Sequence, residues 1–318
     1  MLNRRILRIK AFKVLYAYAE NPEMSLKEAV AALDASCEAT RSLYLQLMGV
    51  VIPLTAHAAR LTEAARSKFN PTPEEANPNM KFVNNALAPL LESDPDFVKL
   101  SESRKLGWSQ DDAFIHSLYT SMKSKVWFEQ YMNAPGASLA QDIQLFKHMF
   151  EDEFEDNPAV EAIVEDRSMW WTDELSYALM CCIKSLDAIG RDGRWELPPL
   201  YQSELLEKQG RRGVESDSRF VHTLLEAAFG RYREYEGMIA GAVSKWDRDR
   251  LYTTDIVLVA LGLAEAEVFP EIPVKVSINE YVEISKYYST PKSRSFVNGL
   301  LDHLVKQLAG EGRVNKTI

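Results

Sequence analysis

The chain has few of the residues that usually announce a chemical function. Its three cysteines, Cys37, Cys181 and Cys182, show neither metal-ligand spacing nor a disulfide framework. They read as small buried hydrophobes in a reducing compartment. There is no Gly-rich phosphate loop, no His-Glu-x-x-His, no nucleophile elbow and no Cys-x-x-Cys. The common nucleotide, metalloprotease, hydrolase and redox signatures are therefore missing. The histidines, His57, His116, His148, His222 and His303, are scattered and read as polar edge residues. No stretch approaches the ~18 consecutive apolar residues of a membrane span. The N-terminus starts basic but runs straight into an amphipathic pattern, without the apolar segment and cleavage site of a signal peptide. These absences point to a cytoplasmic protein that is not an enzyme and carries no metal or cofactor. The formal net charge of -9 supplies no global attraction for a polyanion.

What is present is helix. With 46% apolar residues in 318, the chain can bury one large or two modest cores. The apolar spacing is helical nearly throughout and no clean strand alternation occurs, which predicts an all-α fold. Over residues 3–19, Leu7, Ala11, Val14, Leu15 and Tyr18 make a core face. Arg4, Arg5 and Arg8 fall on an arc beside it, and with Lys10 and Lys13 they put five cations and no acid in the first 13 residues. Cations at a helix start are mis-signed for the helix dipole, so the pattern calls for an anion to offset them. Solvated charges are the plainer reading.

A second informative stretch spans residues 272–308 and reads as helix, break, helix. Pro273 can open the first helix, and Ser289-Thr290-Pro291 carries a second cap-and-proline start. After it, Val297, Leu300, Leu301, Leu304 and Leu308 define a buried face. Phe296 lies at the edge of that stripe, beside Lys292 and Arg294. A flat aromatic flanked by cations suits stacking on single-stranded RNA; an edge-of-core phenylalanine is the alternative.

Residues 273–302 resemble the C-terminal signature of the NusB family of bacterial transcription antitermination factors. Pro273, Lys275, Val276, Ile278, Asn279 and Glu280 match its Pro-x-Lys-Val-Ala-Ile-Asn-Glu helix. Phe296, Val297, Asn298, Gly299, Leu301 and Asp302 match its Lys-Phe-Val-Asn-Gly-Val-Leu-Asp segment. Residues 255–263 resemble the helix that precedes it. Arg4, Arg5, Arg8, Ala11, Leu15 and Tyr16 match the family's arginine-rich first helix in register, with Ile6 replacing a third consecutive arginine. The resemblance implies two packed small helical bundles. It also implies binding of boxA-type leader RNA as a heterodimer with ribosomal protein NusE, within the RNA polymerase elongation complex. Phosphate contacts would come from Arg4, Arg5, Arg8, Lys10 and Lys13, stacking or packing surfaces from Tyr16 and Phe296, and flanking charge from Lys292 and Arg294.

The resemblance does not explain residues 70–216. Asn70-Pro71-Thr72-Pro73 and Asn77-Pro78 punctuate its start like a linker. The stretch carries 14 basic and 26 acidic side chains, whereas the flanks carry 23 and 20. A surface of that sign repels phosphate, so this helical insertion suits protein contact or bracing. The dense carboxylates Glu151, Asp152, Glu153, Glu155 and Asp156 lack calcium-loop spacing and read as a solvated turn. Phe114 to Leu118 echoes Phe220 to Leu224, a hint of duplication too short to establish one. The expected division is a bundle from residues 1–69 and 217–318, interrupted by the insertion. The insertion and Ile6 favour a second reading, a helical protein-interaction scaffold that has lost RNA binding. NusB-like bundles also occur beside RNA methyltransferase domains, but no catalytic domain is recognisable here.

Overall fold

The computed structural model describes residues 1–243 and 252–316. It is all-α: among the described residues there is no strand, only an isolated bridge between Leu2 and Tyr201. The helices begin with α1 (Arg4–Glu20), α2 (Leu26–Met48) and α3 (Val51–Arg66). Shorter ones follow: α4 (Pro73–Ala76), α5 (Leu87–Glu92), α6 (Pro95–Ser103), α7 (Asp112–Lys123), α8 (Val126–Asn133) and α9 (Leu139–Met149). Then come α10 (Pro158–Arg167), α11 (Leu175–Asp192) and α12 (Gln202–Lys208). The C-terminal set is α13 (Asp217–Gly230), α14 (Tyr232–Val243), α15 (Thr253–Val268), α16 (Val274–Tyr288) and α17 (Ser293–Gly310).

Two compact units are formed. The first comprises Met1–Cys37 and Pro199–Ile318, the second Glu38–Pro198. These limits differ from the punctuation in the sequence. The division at 37/38 falls inside α2, where no break in composition marks it. The proline-rich stretch near residue 70 lies inside the second unit, where Thr72 and Glu75 close a capping box around α4.

In the first unit, α1 packs on α13 and α15, while α15, α16 and α17 pack on one another. Asn3 caps α1 by accepting from the Ile6 N–H at 3.0 Å. Leu7, Ala11, Val14 and Leu15 are buried as the helical spacing requires, and Tyr18 packs against Phe229 at 4.1 Å between ring centroids. The centre of this unit is α15, whose residues Val257 to Ala264 are buried on every side. It can be approached so closely because Gly262 has no side chain. A Cβ there would lie 2.6 Å from Leu301 Cδ2 and 3.3 Å from Tyr281 Cδ2. Gly262→Ala therefore sets overpacking, typically about 1–3 kcal/mol, against the roughly 1 kcal/mol of helix propensity that Ala gains over Gly. The expected net loss is about 1 kcal/mol, read as a lower melting temperature. An unchanged melting temperature would mean that Leu301 swings aside freely.

In the second unit, α3 packs on α5 and α7, and α9 on α11. Phe82 packs its ring against Phe128, Phe146 and Tyr119. The Tyr44 hydroxyl donates to Ser185 Oγ at 2.9 Å and accepts from the Trp195 indole at 2.8 Å. Pro53 produces no kink inside a helix. The chain breaks at Gly49-Val50 and Pro53 sits in the first turn of α3, where its missing N–H costs nothing. Gly193 ends α11 in the left-handed region (φ 68°), as a helix terminator without a Cβ can. The helical run Leu26–Arg66 is long and apolar enough to cross a membrane by length and composition. Since 61% of that apolar window is buried within the fold, it reads as a core element.

Candidate nucleic-acid interface

The arginines of α1 meet carboxylates of the same unit. Arg4 donates to Glu215 at 2.6 Å and Asp217 at 3.2 Å, with its guanidinium 4.7 Å from the Phe220 ring centroid. Arg5 makes a fork to Glu280 at 2.7 and 2.9 Å on the exposed side of the helix. Its hydrogen bond holds the Glu280 carboxyl below the usual range, against the opposing effect of burial. Arg8 is only 4% exposed and makes a second fork, to Glu265, at 2.7 and 2.8 Å. Burial works against the Arg8 charge, but the hydrogen bonds and the Glu265 charge outweigh it, and the guanidinium pKa ends above its ordinary value. Glu265 also accepts from Ser277 at 2.8 Å and Tyr281 at 2.9 Å, so every group around this buried carboxylate is satisfied. The anions required at the start of α1 are thus supplied by Glu215, Asp217, Glu265 and Glu280. Lys10, fully buried, donates to the Ser36 carbonyl at 2.7 Å and to its hydroxyl at 3.2 Å.

The remaining residues singled out by sequence lie near Tyr288, at the C-terminal end of α16, and at the α16–α17 junction. Lys13 lies 5.8 Å from the Tyr288 ring centroid, and Phe12 packs between Tyr16 and Tyr288 at 6.2 and 5.3 Å. Tyr16 is half-buried beside them. At the α16–α17 junction, Lys292 and Arg294 are exposed and Phe296 is half-buried. Among the described residues the side chain of neither Lys292 nor Arg294 makes a hydrogen bond or ion pair.

The turn bearing these cations is fixed from beneath. Asp255, at the start of α15, is 2% exposed and accepts from Ser289 Oγ at 2.7 Å and Ser293 Oγ at 2.8 Å. Burial pushes its carboxyl pKa up, and the two hydroxyl groups oppose that. The Thr290 and Ser293 hydroxyls are 2.9 Å apart. Because these hydroxyls are engaged with Asp255 and one another, Pro291 does not open α17. Pro291 and Lys292 form a turn and the helix starts at Ser293.

Two adjoining grooves flank this turn. One, of about 570 Å³, is lined by Tyr252, Asp255, Pro291, Lys292, Ser295 and Phe296 among others. The other, of about 480 Å³, is lined by Asn279, Val282, Glu283, Pro291, Arg294, Ser295 and Asn298. The arrangement is an aromatic face and two uncommitted cations over a rigid base. Sequence reasoning missed Tyr252 and Glu283, for which no local signal exists. Asn279 and Asn298 stood inside the recognised motifs, but spacing alone does not show that they share a groove.

Other polar clusters have local partners. Glu153 pairs with Lys125 at 3.0 Å and Asp152 accepts from the Trp127 indole at 2.6 Å, in and beside a π-helical turn at Phe150–Phe154. His116 Nδ1 and His57 Nε2 lie 3.3 Å apart. No group of three or more potential metal ligands occurs among the described residues. The three cysteines are buried thiols.

Fold and site together define an all-helical protein with a cation-flanked aromatic groove at a helix–turn–helix junction. Residues 188–306 match the sequence model of the NusB family. The transcription antitermination protein NusB of Salinibacter ruber is 36% identical over 98 residues, 31% of this chain and 61% of that protein. That of Chloroherpeton thalassium is 33% identical over 98 residues, 31% of this chain and 46% of that protein. That of Listeria monocytogenes serotype 4b is 31% identical over 116 residues, 35% of this chain and 91% of that protein. The chain belongs to the NusB family. It spans 61% and 46% of the first two of these relatives, and no solved structure matches it.

Proposed function

We propose that the protein is a transcription antitermination factor that binds single-stranded RNA of the boxA leader type. It would act together with ribosomal protein NusE in the RNA polymerase elongation complex. The observation that carries this reading is the pair of cations with unpartnered side chains, Lys292 in the groove lined by Phe296 and Arg294 in the adjoining one. Phosphates would be neutralised by Lys292 and Arg294, with Arg5 and Lys13 extending the positive edge along α16. Bases would stack on Phe296, with Tyr16 as a second aromatic surface. Arg4, Arg8 and Lys10 would hold α1 in place beneath this surface.

The test is binding of a short boxA-like RNA across a salt series, with and without NusE. For single strands log K falls with log salt by about 0.7 per phosphate neutralised, so Lys292→Ala with Arg294→Ala should flatten the slope by about 1.4. An unchanged slope would remove these cations from the interface. A second reading is supported by the internal pairing of Arg4 and Arg8 and by the acidic excess of residues 70–216. It is a helical protein-interaction scaffold that binds NusE and no RNA. Binding of the partner without RNA affinity at low salt would establish it.

A further inference from the structure

The second groove is polar in an ordered way. Asn279 and Glu283 are four residues apart on α16, and Arg294 and Asn298 are four apart on α17. Each pair therefore lies on one helix face. All four line the same groove, with buried Val282 as an apolar wall. Neither carboxamide hydrogen-bonds to another described residue, and Arg294 also lacks a direct partner. Glu283 pairs with Lys286 at 2.5 Å, on its own helix. The Lys286 hydrogen bond, with the Lys286, Arg294 and Arg5 charges, holds the Glu283 carboxyl below its usual range, so it is an ionised acceptor.

From this we infer that the groove reads the hydrogen-bonding edge of one nucleobase and selects a base carrying an exocyclic amino group over uracil. The inference rests on the RNA-binding reading and adds base selectivity to it. A carboxylate can only accept and therefore suits an amino group; a guanidinium can only donate and suits a ring nitrogen or carbonyl. Cytosine offers both side by side, an N4 amino group next to N3 and O2 acceptors. Uracil replaces the amino group with a carbonyl, which sets lone pairs against Glu283. The carboxamides of Asn279 and Asn298 each supply one donor group and one acceptor to complete the edge. The groove shares Pro291 and Ser295 with its neighbour, so a base stacked on Phe296 and a base read here would belong to one continuous strand.

Cytidine and uridine oligomers give the cleanest comparison, because the two pyrimidines differ at the position Glu283 faces and stack similarly. The wild-type protein should bind oligocytidylate roughly tenfold more tightly than oligouridylate, the lower part of the range for one well-formed base contact. Glu283→Gln, which gains an amide donor, should strengthen oligouridylate binding and erase the preference. Asn279→Ala with Asn298→Ala should also reduce it while leaving the salt slope intact, and Ala at these helical positions keeps the fold. Equal binding of the two oligomers by the wild type, or an unchanged preference in Glu283→Gln, overturns base reading and leaves the interface standing. Failure of both oligomers to bind at low salt overturns the interface and base reading together.

Discussion

Replacing Arg8 by alanine should lower the unfolding free energy by about 3–5 kcal/mol, the usual cost of removing one partner from a buried ion pair. The cost is large because of what remains. Glu265 is fully buried and would keep Ser277 and Tyr281 as donors while losing a two-pronged cation. Arg8→Lys should recover only part of the loss, since an ammonium cannot reproduce two parallel N–H donors. Arg8→Met with Glu265→Gln should recover more, because no charge is then stranded. The contrast is Arg5, whose fork to Glu280 has the same shape but whose side chain is 53% exposed, so its pair is worth less than about 1 kcal/mol. Urea denaturation followed by circular dichroism reads these differences. A loss below about 1 kcal/mol for Arg8→Ala would show that water screens the pair as it does at a surface.

Phe296→Ala should weaken RNA binding by about 1–3 kcal/mol, roughly 5- to 150-fold, for one base stacked on an aromatic ring. Its effect should differ in kind from that of the cation variants. Stacking is neutral, so the salt slope should stay unchanged while affinity falls at every salt concentration. Phe296→Trp should preserve binding, because any flat π-face serves. The ring is half-buried, so some stability will also be lost, and melting temperature separates that from the loss of affinity. If affinity is unchanged while stability drops, Phe296 is an edge-of-core residue and no base rests on it.

The parts legible in the sequence are those determined by neighbours within a turn or two. Leu7, Ala11, Val14 and Leu15 of α1, and Val297, Leu300, Leu301, Leu304 and Leu308 of α17, are buried as their spacing requires. The Ser25–Glu28 capping box forms, with the Glu28 carboxylate accepting from the Ser25 N–H at 2.8 Å. Pairings over long sequence distances were not legible. A run of arginines signals a need for anions, but periodicity cannot tell a phosphate from Glu265, which is 257 residues away from Arg8. Likewise the hydroxyls of Ser289 and Thr290 look like helix caps until Asp255, 34 residues before Ser289, is seen to engage Ser289, and Ser293 to engage Thr290. Lys10 reads as a solvent-facing cation from its position in a basic run, and only the packing of residue 36 beside it shows otherwise.

The first unit is made from the two ends of the chain, joined where the Leu2 N–H donates to the Leu200 carbonyl and the Gln202 N–H donates to Leu2. This has a consequence for synthesis on the ribosome. Helix α1 is translated before the second unit, and its partners α13 and α15 only after the whole of it. At about 5–20 residues per second, that delay is on the order of tens of seconds. Throughout it the face of Leu7, Ala11, Val14 and Leu15 lacks the helices it packs on in the folded unit. Arg4, Arg5 and Arg8 are then charged before Glu215, Asp217, Glu265 and Glu280 have been made, and they give the waiting helix a positive charge that opposes its association with other cationic nascent segments.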